Sequence, residues 1–302
     1  MKNIKKVKVC IMMLCILLLV GISGCGKEEE SSQELETVLG DLQQEFDEVK
    51  KEGVKAEVSE YITPDETEFL WVEVEDGVAI EGYKGTATAI NIPAQLGGKD
   101  VVEIKEGAFD EVVSVLEGIK FPDTLLRINE KAFLYYMALK EVDLGKGVSV
   151  LGDHAFEGCM VLTNIIGGDS LERTGFNCFS NCQSLKSVQL PDGIKELGAG
   201  TFCLTGIEKI IIPGTVETVG KACFTTCVNL KTVIFEDGVS TLEENVFESC
   251  KNLERVYIPE SVTTITGLNQ FIDTNDNVVI YGSVGSEAER YAIENGIAFE
   301  VK

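Results

Sequence analysis

Residues 178–191 read CFSNCQSLKSVQLP, and residues 155–168 (AFEGCMVLTNIIGG) and 246–259 (VFESCKNLERVYIP) follow the same order of residue types. In each stretch a leucine follows the phenylalanine by six residues, a β-branched residue follows it by nine, and a proline or glycine ends the pattern. The phenylalanine recurs every 22 to 24 residues, at Phe109, Phe133, Phe156, Phe179, Phe202, Phe224 and Phe247. A fixed period of this length is the signature of a repeat solenoid.

The period explains how such a chain buries its apolar residues. One coil of about 23 residues cannot enclose a core, but stacked coils place phenylalanine on phenylalanine and leucine on leucine. A further aliphatic column precedes most of the phenylalanines by five residues: Ile104, Ile128, Leu151, Leu197, Val219 and Leu242. Residues 187–190 exemplify the short strand that we expect to pair in parallel with its equivalents, and about eight such strands at ~4.8 Å spacing would form one sheet roughly 35–40 Å across. The sequence therefore predicts a β-rich repeat solenoid.

The segments on either side of the repeats predict end caps, which a solenoid needs to cover its terminal coils. Two β-like runs around the EDG turn at residues 75–77 predict a hairpin in an N-terminal β cap. Near the other end, Ser286 is a helix N-cap with Glu289 completing a capping box, and Gly296 stops the helix before a final strand. The predicted divisions are an N-terminal cap at 61–104, leucine-rich repeats at 105–275 and a C-terminal helix-strand cap at 276–302.

The repeats resemble the BspA-like class of bacterial leucine-rich repeats, through the motif A-F-x-x-C-x-x-L-x-x-V-x-L-P. The resemblance covers roughly residues 69–302, and the Ile-Tyr-Gly-Ser sequence at 280–283 is similar to that family's closing unit. Two copies depart from the motif, because the copy after Phe109 lacks the cysteine and the copy that starts at Gly267 is degenerate. The class occurs on surface and secreted proteins, so the resemblance implies adhesion or host interaction as the function.

The first 24 residues are typical of a signal peptide that is removed. Four lysines precede an apolar run at residues 9–20, which is too short to span a membrane and has the size of a signal-peptide core. Residues 22–25, Ile-Ser-Gly-Cys, resemble a bacterial lipobox, in which Cys25 receives the lipid. We therefore expect an exported lipoprotein held on the outer face of a bacterial membrane by acyl chains on Cys25. The alternative is an ordinary secretory signal followed by an unrelated cysteine.

Residues 25–60 predict a lipidated cysteine, an acidic spacer and a stalk helix. Residues 27–68 contain fifteen acidic and four basic residues. Within them, an apolar stripe at helical spacing predicts an amphipathic helix over residues 33–51, with Leu35, Val38, Leu39, Leu42, Phe46 and Val49 on the stripe. The helix could pack on its own domain, or it could mediate self-association in a structural envelope protein.

The net charge of −24 limits the classes of partner. Removal of the signal peptide, with its four lysines, would bring the charge to about −28. So acidic a protein repels the phosphate backbone of nucleic acids, and we expect no nucleic-acid binding. Acidity also favours solubility, independently of any partner.

Seven cysteines fall in the predicted repeats, and four of them occupy one position, three residues after the phenylalanine: Cys159, Cys182, Cys227 and Cys250. Packing explains such a column, because a free cysteine behaves as a small buried hydrophobic residue. Disulfides between neighbouring coils remain open, since the ~4.8 Å spacing of strands is within the Cα separation that a disulfide allows. A metal site is the weaker alternative, because the CxxxC pairs lack nearby histidines. We predict free thiols and no metal or other cofactor.

Motifs for catalysis are missing from the sequence. It contains no G-x-S-x-G, H-E-x-x-H or P-loop. The one histidine, His154, lies in a predicted exposed turn, where a general base would need a partner and a pocket. We expect no enzymatic activity, and the alternative is a cell-envelope hydrolase that uses an Asp or Glu acid-base pair.

The predicted sheet offers the best candidate for a binding surface, because side chains next to each buried strand residue point outward. Solenoid sheets of this kind form extended, concave binding faces. The outward side chains of three consecutive coils predict an exposed apolar strip with basic residues beside it, made of Lys209, Ile211, Thr232, Ile234, Arg255 and Tyr257. We expect a protein, host or matrix ligand to bind there.

Overall fold

The computed structural model describes residues 57–267 and 270–301, all within the unit Phe46–Lys302. The predicted signal peptide, the Cys25 lipidation site and the helix predicted at 33–51 lie outside these residues. Among the described residues, no helix has the length and apolar character that crossing a membrane requires.

Short parallel strands connect successive coils, as the repeat predicts. The first group is a four-stranded sheet, here called the N-terminal sheet, whose strands lie side by side in chain order. Its strands are Ala89–Asn91 (β3), Gly118–Lys120 (β6), Glu141–Asp143 (β8) and Asn164–Ile166 (β10). The second is the five-stranded C-terminal sheet, in which order in space follows order in the chain. It comprises Lys209–Ile212 (β13), Thr232–Phe235 (β15), Arg255–Tyr257 (β17), Val279–Gly282 (β19) and Ala298–Val301 (β20).

The prediction of one continuous sheet of about eight strands is wrong, because residues 187–190 form no strand and the ladder divides there. Two irregularities flank this copy. On one side β10 is followed by Gly167 and Gly168, whose φ angles of 74° and 77° turn the chain, whereas four other copies have a proline at the position of Gly168. On the other side the coil that begins at Phe202 is 22 residues long, so its strand is displaced by one position.

A second sheet, which the sequence analysis did not predict, runs along another side of the coils. It has eleven strands, and most of them are only two residues long. They are Phe69–Val74 (β1), Gly77–Tyr83 (β2), Gln95–Leu96 (β4), Lys99–Ile104 (β5), Arg127–Ile128 (β7), Val150–Leu151 (β9), Arg173–Thr174 (β11), Glu196–Leu197 (β12), Thr218–Val219 (β14), Thr241–Leu242 (β16) and Thr264–Ile265 (β18). In the two-residue strands from β7 to β16 the second residue is buried and lies five residues before a phenylalanine, whereas Ile265 on β18 lies six residues before Phe271.

The core is a ladder of aromatic rings, as the period predicts. From Phe133 to Phe247 the ring centroids of successive coils lie 5.2–6.1 Å apart, with interplanar angles of 4–9°. Tyr83 and Phe69 extend the ladder at one end, and Phe271 and Tyr291 extend it at the other. Stacked rings of this kind bury large apolar areas in each coil.

Left-handed turns flank the rings. Their backbone hydrogen bonds connect neighbouring coils, in addition to the strands on the two sides of the coils. In the coil of Phe133, the amides of Lys131, Phe133 and Tyr135 donate to carbonyl oxygens of the next coil at 2.8–2.9 Å. The residues two before and two after the phenylalanine have positive φ in most coils. This backbone shape points alternate N–H groups at the neighbouring coil, which satisfies donors that a buried loop would otherwise leave unpaired.

The two predicted caps are present. At the start, β1 and β2 form an antiparallel hairpin around the turn at residues 75–77. At the end, a helix over Glu287–Asn295 (α1) separates β19 from β20. Ser286 caps α1 by accepting from the amide of Glu289, and Gly296 ends it with a φ of 67°. The predicted capping box differs in one bond, because the Glu289 carboxylate accepts from the amide of Gly285, 2.6 Å away. The predicted fold class is confirmed.

Candidate ligand-binding face

The six predicted binding residues come together on one face of the C-terminal sheet, here called the outer face. The parallel register pairs Lys209 with Thr232 and Thr232 with Arg255. The same register aligns Ile211, Ile234 and Tyr257, and carries that row on to Tyr281. We call the first set the polar row and the second set, including Tyr281, the apolar row.

The residues between the two rows point the other way. Ile210, Val233 and Val256 are fully buried in the hydrophobic core, together with the phenylalanine ladder. Because side chains alternate along a strand, their neighbours in the two rows project from the opposite face. This alternation along the strands therefore determines which side chains lie on the outer face.

The prediction that the apolar row is open to solvent is wrong. Ile211 is 8% exposed, Ile234 0% and Tyr257 6%, although none of the three belongs to the main core cluster. Part of the reason is lateral packing, because parallel register sets these side chains side by side at the ~4.8 Å spacing of strands. At the end of the row, the Tyr257 and Tyr281 rings stack with centroids 4.6 Å apart.

The polar row is also partly enclosed. Thr232 is fully buried, and its hydroxyl lies 3.3 Å from Nη2 of Arg255, which donates to it. Lys209 and Arg255 are half-buried on either side of it. The row therefore presents two cations at its ends, two strand positions apart, beside an apolar surface.

The outer face of the N-terminal sheet carries a different occupant, the described chain segment 57–62. Tyr61 donates a 2.9 Å hydrogen bond to Oε1 of Glu141, and Lys120 Nζ lies 4.2 Å from the centre of the Tyr61 ring. A Cβ at Gly118 would lie 2.4 Å from Tyr61 Oη and 2.6 Å from a Val58 methyl group, so only glycine fits beneath this segment. The repeat pattern does not predict this contact, and the glycine in an outward-facing strand position is the one signal of it in the sequence.

Electrostatics hold the segment at this site. Burial raises the pKa of Tyr61 well above its ordinary value, and the Glu141 carboxylate raises it further. The Glu117 carboxylate accepts from the Ser59 hydroxyl at 2.8 Å, which together with Lys140 lowers the pKa of Glu117. These contacts come from three strands, so the segment crosses the sheet rather than following one strand.

The rest of the outer face between these two regions is open. Ile166 on β10 is 41% exposed, and Gln189 in the following coil is also exposed. Both occupy the repeat position of Ile234, ten residues after the phenylalanine.

The seven repeat cysteines are free thiols, and six of them are fully buried, in agreement with the prediction. The column residues donate to the carbonyl oxygen of the phenylalanine one coil earlier, as Cys159 does to Phe133 at 3.3 Å and Cys227 to Phe202 at 2.9 Å. Burial raises the pKa of Cys159 and Cys227 to about 12. Such thiols are protonated at neutral pH and lack the thiolate that nucleophilic chemistry needs.

Other groups with catalytic or metal-binding chemistry are engaged in structure. His154 adopts a left-handed turn with a φ of 57°, contacts the Glu157 carboxylate through Nδ1 and packs edge-on against Phe176. Within residues 57–267 and 270–301, no group of three or more His, Cys, Asp and Glu side chains is arranged to hold a metal ion.

A comparison with a solved structure agrees with this fold. The chain is similar to a leucine-rich repeat protein of T. pallidum, at 24% identity and a TM-score of 0.57, covering 79% of this chain and 98% of that one. It also matches a leucine-rich cell surface protein from Faecalibacterium prausnitzii A2-165, at 22% identity and a TM-score of 0.43, covering 70% of this chain and 74% of that one. No curated protein sequence matches the chain.

A family model describes the repeats themselves. The model of the BspA type leucine-rich repeat region matches residues 102–227 and 149–277, with six copies. These residues include the phenylalanine ladder from Phe109 to Phe271 and the strands of both binding-face rows up to β17. Since the matches cover more than half of the 302 residues, the chain belongs to the BspA-type leucine-rich repeat family.

Proposed function

We propose that this protein is a lipid-anchored, surface-displayed binding module that holds a protein ligand on the outer face of its C-terminal sheet and catalyses no reaction. The observation that carries the proposal is the pair of rows on that face. Six side chains from three coils, three of them apolar and two cationic, lie in register on a side of the sheet that faces away from the core. Leucine-rich repeat solenoids typically use such ribbed sheets to bind proteins.

The location follows from the N-terminal sequence. The basic, apolar and Ile-Ser-Gly-Cys segments at residues 1–25 occur in the order of a lipoprotein signal. Acyl chains on Cys25 would hold the solenoid at the outer face of the membrane, and the acidic spacer after it would stand the repeats off from the surface. A host protein, a matrix protein or another envelope protein is then the ligand within reach.

Three features support a binding rather than a catalytic role. The thiols are buried and protonated, as their raised pKa values require. The histidine is paired with a carboxylate at an irregular turn. The carboxylates of Glu117 and Glu141 on the outer face accept hydrogen bonds from the chain's own segment 57–62.

The residues of the apolar row are buried, so a ligand would reach them only after the side chains around them move. Their aromatic and branched side chains then supply the contact area, since buried aromatic residues and arginine dominate the energy of most interfaces. Lys209 and Arg255 would favour a ligand surface with carboxylates beside an apolar patch. The ligand class that best fits the face is therefore an acidic, amphipathic protein element.

The test is capture of purified host matrix proteins and envelope proteins by the immobilised chain, compared with the triple variant Ile211→Ser, Ile234→Ser, Tyr257→Ser. We expect the triple variant to lose capture of any protein that the wild type binds. The matched control is Thr218→Ser, Thr241→Ser, Thr264→Ser, which changes three in-register strand residues of the second sheet. Circular dichroism must show both variants folded, and equal capture by all three chains would exclude the outer face as the binding site.

A further inference from the structure

The first strand of the eleven-stranded second sheet leaves one of its edges open. β1 is six residues long and lies at one end of the sheet, where it pairs with β2 on one side only. Within the described residues, no hydrogen bond joins a backbone group of β1 to any element other than β2. An open edge of this kind presents a row of backbone donors and acceptors to which a further strand can be added.

The opposite end of the same sheet is protected, and β1 is not. There β18 is only two residues long, and α1 packs beside it, with the Glu287 carboxylate bonded to the backbone of Ile265. Proteins protect exposed edges with short strands, lysine, proline or a covering helix. β1 reads Phe-Leu-Trp-Val-Glu-Val and contains no lysine or proline. Its one charged residue, Glu73, is neutralised by an ion pair with Lys99 at 2.6 Å.

Both faces of this edge are apolar. Leu70 is 46% exposed, and Val72 is half-buried. Trp71 is also half-buried and packs partly against the hydrophobic core. Because side chains alternate along a strand, Trp71 projects from one face of β1 and Leu70 and Val72 project from the other. A strand added beside β1 would therefore bury apolar surface on both faces, provided that its own side chains are apolar on both.

Carboxylates flank the edge at both ends. Asp65, Glu66 and Glu68 precede β1, and Glu75 and Asp76 form the turn that follows it. The first three accept hydrogen bonds from backbone amides, which leave their negative charge uncompensated. In the described part of the chain, no lysine or arginine forms an ion pair with any of the five. A partner with cations at both ends of its strand would complement this arrangement.

We propose that the open edge of β1 binds an extended segment of another protein, apolar at its centre and flanked by lysine or arginine, as an added strand of the second sheet. Backbone hydrogen bonds would supply affinity, and the carboxylates would select the basic flanks. The site is separate from the outer face of the C-terminal sheet and does not depend on the proposed function.

A second copy of this chain fits the same edge less well. Two β1 strands paired antiparallel would bring the acidic turn of one copy beside the acidic residues that precede β1 in the other. Paired in parallel, they would place identical carboxylates side by side. Like charges directly opposite each other destabilise a strand pair, so the charges favour a basic partner.

The first test uses the intact chain purified in detergent and a short synthetic peptide of valine, isoleucine and threonine with two lysines at each end. Trp71 is the only tryptophan of the chain and lies on β1, so its fluorescence reports directly on this edge. We expect the peptide to change the fluorescence in a saturable manner. The same peptide with a proline at its centre, which breaks the strand, should leave the fluorescence unchanged.

An exchange of charges tests the role of the carboxylates. We expect the variant Glu75→Lys, Asp76→Lys to bind the lysine-ended peptide about tenfold more weakly than the wild type does at low salt, and to bind a glutamate-ended peptide more tightly. The matched control is Glu260→Lys, Asp276→Lys, which makes the same change of charge in exposed turns near the other end of the chain and should bind as the wild type does. Equal affinities in all three chains would overturn the proposal.

Hydrogen–deuterium exchange locates the bound peptide. We expect the lysine-ended peptide to slow exchange of the amides in residues 69–74 several-fold and to leave Thr264 and Ile265, at the other end of the sheet, unchanged. Protection confined to another region, including the outer face of the C-terminal sheet, would overturn the proposal. So would protection of residues 69–74 that grows with protein concentration in the absence of peptide, because it would assign the edge to a second copy.

Discussion

At the scale of the residue, the least expected feature is backbone conformation. Eleven non-glycine residues of the described chain have a positive φ, and all of them lie two residues before or after a ladder ring. A residue with a Cβ loses roughly 1–2 kcal/mol in this region. Most coils bear this cost, because this geometry aims the backbone N–H groups at the neighbouring coil. Glycine and asparagine, which tolerate it best, already occupy several of these positions.

Leu204 is the clearest opportunity to remove such strain. Its φ is 60° and its side chain is 43% exposed, at the position that Asn181 occupies one coil earlier. We expect Leu204→Asn to stabilise the protein by about 0.5–1 kcal/mol, because asparagine adopts left-handed backbone more readily than leucine. Urea unfolding measures the difference. The control is Val228→Asn, equally exposed but with ordinary φ, which should give no gain.

The buried thiols predict a stability that depends on pH on the alkaline side. Burial raises the pKa of Cys159 from 9.0 to about 12, so the folded state keeps a proton that the unfolded state loses. This contribution is present in full below about pH 9 and is lost as pH rises towards 12, at about 1 kcal/mol per thiol by pH 10.

The check is urea unfolding of the wild type and Cys159→Ala between pH 7 and 10.5. The substitution creates a cavity that lowers stability at every pH. Above pH 9, however, the free energy of unfolding should fall less steeply than in the wild type, because one titrating thiol is missing. Parallel pH curves for the two proteins would show that the thiol does not titrate in this way.

At the scale of the element, the sequence predicts what recurs in every coil. The phenylalanine period predicts the ring ladder, and the predicted strands of the repeat are present on both sides of the break. The break itself depends on Gly167, Gly168 and a coil one residue short, which are deviations from the repeat. The second sheet could not be predicted, because a two-residue strand is too short to show the alternation of buried and exposed residues that identifies a strand. Its aliphatic column therefore indicated only a buried position.

At the candidate site, too, the repeat predicts some properties of the residues and not others. The strand alternation predicts which residues share the outer face, and the register places the six in two rows. Exposure could not be predicted from the repeat, because Ile166 and Ile234 occupy the same repeat position and yet are 41% and 0% exposed. The Tyr61 contact with Lys120 and Glu141 depends likewise on residues more than 50 positions apart.

The ring ladder predicts that two phenylalanines three residues apart in the chain contribute very differently to stability. Phe179 stacks between Phe156 and Phe202 and is buried, whereas Phe176 is half-exposed beside His154. We expect Phe179→Ala to destabilise the protein by about 3–5 kcal/mol, since it opens a cavity between two coils. Phe176→Ala should cost less than about 1 kcal/mol, as surface substitutions do. Thermal unfolding of both variants measures this, and similar losses would contradict a closed ladder.

At the scale of the whole molecule, the proposed function depends on where the solenoid is displayed. We expect Cys25→Ser to remove the acyl chains and release the protein from the membrane. The acyl chains on Cys25 are the proposed membrane anchor, so their loss removes it. Metabolic labelling with a fatty acid, followed by membrane fractionation, measures both effects. Cys15→Ser, in the predicted signal peptide, is the control and should leave labelling unchanged.

The repeat architecture also confines the proposed binding to one part of the molecule. Each coil contacts only its neighbours, so a face made by β13, β15 and β17 can serve a ligand while the N-terminal sheet holds segment 57–62. The acidic charge of the whole chain and the two cations of the polar row then act at different ranges. We expect the first to repel nucleic acids and the second to favour an acidic element at the proposed contact.

The most direct measurement is the place at which a bound protein touches the solenoid. Benzoylphenylalanine would replace Tyr257 on the outer face in one chain and Phe176, an aromatic residue away from that face, in another. For any matrix or envelope protein that the wild type captures, we predict a light-dependent crosslink from position 257 and none from position 176. A crosslink from position 176 alone would contradict it.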